Sequence, residues 1–141
     1  MESEVLAIKF LNFVTNHFID VRAKPPNVKR PNRVSLYVPN KPRNKRWMQI
    51  DWNKESISIA MDHLQGDISE ETIRNAGVVY GKLDGRNSRI RLQNDNAVYL
   101  TVFKSDMVNF TSDEFLYFLT LHYNSYLRRI SRKDLTIGIK S

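Results

Sequence analysis

All five prolines of the chain fall between residues 25 and 42, and this clustering governs what the first half can become. Proline lacks a backbone donor and breaks a helix interior, so the stretch VRAKPPNVKRPNRVSLYVPNKPRNKRWMQI (21–50) is left with strands and turns. Two runs within it alternate. VSLYV (34–38) sets Val34, Leu36 and Val38 on one side and Ser35 and Tyr37 on the other. RWMQIDW (46–52) sets Met48, Ile50 and Trp52 against Trp47, Gln49 and Asp51. Residues 39–45 read as a charged turn, so the two runs predict a hairpin. Residues 22–33 hold three prolines and no apolar period, and read as a basic loop kept extended and outward.

The flanks supply the rest of a fold. Residues 4–19 carry Leu6, Phe10, Phe13 and Val14 at helical spacing, with Ser3 as candidate cap. Val5, Ile8, Leu11 and Phe18 widen that apolar surface enough to predict a sandwiched helix. SISIAM (56–61) alternates as a strand. A short helix is expected over 69–75, with Asp67 or Ser69 as its cap and Gly77 at its end. Residues 78–83, 89–93 and 97–103, separated by Asp84-Gly85 and Asn94-Asp95-Asn96, predict a three-stranded meander whose last strand is central. Thr111 and Glu114 fit a capping box ahead of a closing helix, and 134–141 read as a short strand or loose tail. The sum is one α+β domain over 1–141. A largely antiparallel five- to six-stranded sheet packs against an N-terminal and a C-terminal helix, with a short central helix.

Charge is as uneven as proline. The chain has 22 basic and 15 acidic residues, net +7, yet residues 21–50 hold nine of the cations and no acid before Asp51 is reached from Asp20. A local block of one sign points to an anionic partner. Phosphate neutralisation needs several accessible Lys or Arg, and Lys29, Arg30, Arg33, Lys41, Arg43, Lys45 and Arg46 are the candidates. Tyr37 and Trp47 stand beside them and are candidates to stack on unpaired bases. Arg89 and Arg91 share a strand face and would extend the patch; Arg128, Arg129, Arg132 and Lys133 would form another.

Other chemistry finds little support. There is no cysteine, hence no disulfide or thiolate metal site. His17, His63 and His122 lack partners at metal-ligand spacing and read as packed or half-exposed histidines. Gly77, Gly81 and Gly85 match no phosphate-binding loop, and no cofactor motif is present. Asp51, Glu55, Asp62 and Asp67 read as acids balancing a basic surface rather than as a nuclease centre. The acidic Met1-Glu2-Ser3-Glu4 start lacks the positive charge of a secretory signal, and no run approaches the roughly 20 apolar residues of a membrane span. The expectation is therefore a cytoplasmic protein, or a nuclear one in a eukaryotic cell.

The order of basic hairpin, short helix, second meander and closing helix resembles small accessory domains of restriction and phage-defence systems; no residue roles transfer with it. The functional expectation is a non-catalytic nucleic-acid-binding domain, contacting DNA or RNA through its phosphate backbone. The alternative is a protein-interaction module, an inhibitor or adaptor, gripping an acidic partner surface.

Overall fold

A computed structural model describes residues 2–40, 44–73, 90–103 and 112–140, with residues 2 and 132–140 described by their backbone alone. The elements in chain order are α1 (Glu2–His17), β1 (Arg22–Lys24), β2 (Arg33–Tyr37), β3 (Arg46–Trp52) and β4 (Ser56–Asp62). A short helix α2 follows, described over 70–73, then β5 (Ile90–Gln93), β6 (Ala97–Phe103) and α3 (Asp113–Lys140). The strands form one antiparallel sheet in the order β1-β2-β3-β4-β6-β5. The α+β architecture expected from the sequence is thus the one observed.

Both long helices cover the same side of the sheet. Phe10 of α1 meets Phe115 of α3 with ring centroids 6.4 Å apart, and Phe18 meets Tyr123 at 4.8 Å. Beneath them lie the inward rows of the sheet: Leu36, Met48, Ile50, Ile57, Ile59, Met61, Val98, Leu100 and Val102, all essentially sealed from solvent. Burying such side chains contributes about 1.5–3 kcal/mol each before entropy is counted. The opposite side of the sheet carries its polar alternates, which are half-exposed. α1 is not sandwiched: Val5 and Ile8 stay about half exposed.

Local chemistry explains most boundaries. Ser69 caps α2, its hydroxyl accepting from the Thr72 N–H at 3.1 Å. Ser112, rather than Thr111, caps α3 by accepting from the Phe115 N–H at 3.3 Å; Thr111 lies outside the described residues. Ser3 is no cap, since its buried hydroxyl donates to the Asn53 carbonyl and ties α1 to the β3–β4 turn. Asn94 and Asp95 both have positive φ, 52° and 60°, and Asn96 N–H returns to the Gln93 carbonyl. Two successive residues in the left-handed region thus make the tight three-residue connection between Gln93 and Ala97, at the Asn94-Asp95-Asn96 stretch marked in the sequence. The expected strand over 78–83 and the glycines at 77, 81 and 85 lie outside the described residues.

Three further expectations are corrected. Residues 22–24 of the expected loop are a strand, pairing Arg22 with Tyr37 and Lys24 with Ser35. The remainder is no extended loop. Asn27 and Arg30 exchange main-chain hydrogen bonds, and the Asn27 side-chain oxygen accepts from both Lys29 and Arg30 N–H groups at 2.9 Å. An Asx turn therefore folds the β1–β2 connection into a finger with Val28 and Lys29 at its tip. Finally, α3 runs on to Lys140, where a short strand or loose tail was expected.

Candidate interface on the open sheet face

The uncovered side of the sheet is organised by strand register. One cross-strand row reads Lys24, Ser35, Gln49, Ala60, Tyr99, Arg91 from edge to edge. A neighbouring row reads Arg33, Asp51, Ser58, Thr101, and on the other flank Arg22 faces Tyr37, which faces Arg46. Paired residues share a face, so these rows place five cations, Arg22, Lys24, Arg33, Arg46 and Arg91, around Asp51, and Asp62, two residues beyond Ala60 on β4, adds a second carboxylate. Lys29 and Arg30 extend the cationic side from the exposed finger beside β1 and β2.

The cations are not equivalent. Arg33 donates from Nε to Asp51 at 2.6 Å and from Nη2 to the same carboxylate at 3.3 Å. Gln49 donates to Asp51 at 2.9 Å and accepts from Arg46, which also donates twice to Asp62 at 2.8 and 3.0 Å. The middle of the face is therefore a neutralised polar chain, Arg33–Asp51–Gln49–Arg46–Asp62. Arg33 and Arg46, expected as phosphate contacts, have their charge answered within the sheet. Arg22 donates to the Ile19 and Val21 carbonyls, which leaves its charge without a carboxylate partner among the described residues. Arg91 lies 5.5 Å from the centroid of the Tyr99 ring, a cation–π pair at one edge.

Trp47 is corrected outright. Strict alternation puts it on the open face, but the β2–β3 register slips between Leu36 and Tyr37: Leu36 faces Met48 while Tyr37 faces Arg46. The bulge turns Trp47 inward beside Met48, and its ring is fully buried against His122, Tyr123, Tyr126 and Phe18. No base can stack on it. Tyr37 stays on the open face and half-exposed. Lys41, Arg43 and Arg89 lie outside the described residues; Lys45 is half-exposed at the end of the same turn. Arg128 sits on the helix side of the molecule, paired with Asp67 at 2.7 Å, so it does not join the open face; the side chains of Arg132 and Lys133 lie outside the described residues.

Tyr99 and Lys24 were missed as site residues, and for Tyr99 a signal existed. The Asn94-Asp95 turn dictates that Arg91 faces Tyr99, which puts an aromatic ring and a cation together on the outer side. Lys24 had no such signal, because nothing local announces β1.

Beneath Trp47 lies a buried polar relay. Its indole N–H donates to His122 Nδ1 at 3.0 Å, and His122 Nε2 stands 3.0 Å from His63 Nδ1. Burial holds His122 well below its usual value, with His63 adding to the effect; burial also lowers His63, against opposing pulls from Asp67, Asp95 and Asp62. Nearby, Ser125 donates to Asp67 at 2.8 Å rather than to a histidine. Burial works to raise the Asp67 carboxyl but is outweighed by hydrogen bonds from Arg128 and Ser125, so it ends lowered. Ser125 and both histidines are sealed from solvent, so this cluster offers no substrate access. Among the described residues no three His, Asp or Glu side chains gather as metal ligands, and no helix is long and apolar enough to cross a membrane.

A concave feature lies on the helix-covered side of the sheet, beside the finger. A cleft of about 360 Å³ opens between α1, the finger and the first strands, walled by Ala7, Ile8, Leu11, Pro25 and Pro31 and floored by Trp52. No protein-family model matches the chain, and neither curated proteins nor solved structures provide a match.

Proposed function

We propose that this chain is a non-catalytic nucleic-acid-binding domain whose contact surface is the open sheet face together with the Asn27 finger. The observation that carries this reading is the sorting of charge by register. Cations without carboxylate partners stand at the sheet edge and finger, around a polar face that no helix covers among the described residues. Lys24 joins Lys29 and Arg30 as the residues expected to neutralise phosphates, in place of Arg33 and Arg46. The test is fluorescence anisotropy with labelled oligonucleotides across a salt series. The combined variant Lys24→Gln, Lys29→Gln, Arg30→Gln removes three charges, so its log–log salt slope is expected to fall by about 2–3. An unchanged affinity and slope would remove these residues from the interface.

A second reading, an interaction module gripping an acidic protein surface, is supported by the apolar cleft beside the basic finger. Protein interfaces draw affinity from an apolar anchor seated in a pocket with charge at the rim. It is favoured over the first if no oligonucleotide binds at physiological salt.

A further inference from the structure

We infer that the nucleic acid accepted by the open face is single-stranded, its bases laid on the sheet and its phosphates held at the edges; this rests on the nucleic-acid reading above. Width comes first. Six strands about 4.8 Å apart span about 24 Å, twice the roughly 12 Å of a major groove, so the face cannot enter duplex DNA as a two-stranded ribbon does. The double-stranded RNA major groove is narrower still.

The distribution of groups agrees. The centre of the face is internally neutralised by Arg33–Asp51 and Arg46–Asp62, and a duplex backbone lying there would meet little net charge. What the centre does offer is hydrogen-bonding side chains on half-exposed positions: Ser35, Gln49, Ser58 and Thr101. Such groups suit base edges that are not already paired. Cations then stand at both margins, Arg22 and Lys24 on β1 and Arg91 on β5. Two tyrosines flank the neutral strip, Tyr37 on β2 and Tyr99 on β6, three inter-strand steps or about 14 Å apart across the sheet and about 7 Å offset along it. Stacked neighbours in a duplex strand are only about 3.4 Å apart, so the two rings can serve only bases that have left a regular stack.

The test compares one fluorescein-labelled oligonucleotide of about 12 nucleotides, a length single-strand binders cover, with its own duplex at matched salt. DNA and RNA versions are both run. The single strand is expected to bind at least tenfold more tightly than the duplex. Tyr99→Ala and Tyr37→Ala are each expected to weaken single-strand binding by about tenfold, leaving weak duplex binding unchanged. Thermal melts establish that each variant is folded; both side chains are half-exposed, and Tyr99→Phe, which keeps the ring, should retain affinity. Equal affinity for both forms, or folded tyrosine variants that bind like the parent, would overturn the single-strand inference while leaving phosphate binding intact. Absence of binding to either form would overturn the nucleic-acid reading itself and favour the acidic protein partner.

Discussion

Lowering the pH from 7.5 to 5.5 should destabilise the fold through His122 and His63. The Trp47 indole can only donate, so His122 Nδ1 must be unprotonated. The single proton of that ring then sits on Nε2 and points at His63 Nδ1, 3.0 Å away, which must accept it. His63 is thereby left with its proton on Nε2, a buried atom without a hydrogen-bond partner among the described residues. One more proton on His122 would set two donors against each other at Trp47. One more on His63 would do the same between the rings. Burial accordingly depresses both, His122 the more. The unfolded chain takes these protons near 6.5, while the folded chain resists them. Stability is thus complete above 6.5 and is lost as pH falls from there toward the folded values. Each fully depressed histidine contributes a slope of about 1.4 kcal/mol per pH unit. Integrated from 7.5 to 5.5 this is on the order of 1 kcal/mol for His122, with His63 acting in the same direction. Urea unfolding followed by tryptophan fluorescence reads the change, since Trp47 and Trp52 are both buried. In His122→Asn the amide oxygen can accept from Trp47, so the variant is expected to be weaker overall but to lose the His122 share of the pH dependence. A parent protein equally stable at both pH values, or a variant with the parent's slope, refutes the buried neutral pair.

Tyr126→Phe removes a hydroxyl that donates to the Lys45 carbonyl and accepts from the Val38 N–H, pinning the β2–β3 hairpin end to α3. Urea unfolding should show a loss of about 2 kcal/mol, one for each hydrogen bond. Gly66 has φ +82°, and a Cβ there would meet only the Asp95 carboxylate at 3.7 Å. Gly66→Ala should therefore cost about 1–2 kcal/mol from backbone strain alone, read as a lower melting temperature with the sheet unchanged by circular dichroism.

The elements most legible in the sequence are those whose cause is local. β3 and β6 begin and end where alternation begins and ends, and the Asn94-Asp95 turn lies where two tolerant residues allow positive φ. β1 was not legible, because three residues after a helix carry no period of their own; it exists because the Asx turn at Asn27 folds the chain back onto β2. The site suffered more than the fold. Counting cations finds Arg33 and Arg46, but Asp51 lies 18 residues from one and Asp62 lies 16 from the other. Only a known register brings each carboxylate to its guanidinium.

Trp47 shows why a half-legible site can mislead, and the energetics say which tendency wins. Keeping strict alternation would leave the indole on the open face, exposing a ring that buries about 150–250 Å² when packed. At about 25 cal/mol per Å² that forfeits roughly 4–6 kcal/mol. Slipping the register at Leu36/Tyr37 disturbs about one ladder hydrogen bond, worth about 0.5–1.5 kcal/mol net. Burial wins, and the indole N–H gains His122 as its acceptor. The same slip fixes the outer surface. It sets Arg46 opposite Tyr37, within reach of Gln49 and Asp62. One backbone irregularity therefore removes the largest ring from the face and neutralises a cation there. The rings left on that face are Tyr37 and Tyr99, and the cations without a carboxylate partner among the described residues stand at the edge and the finger.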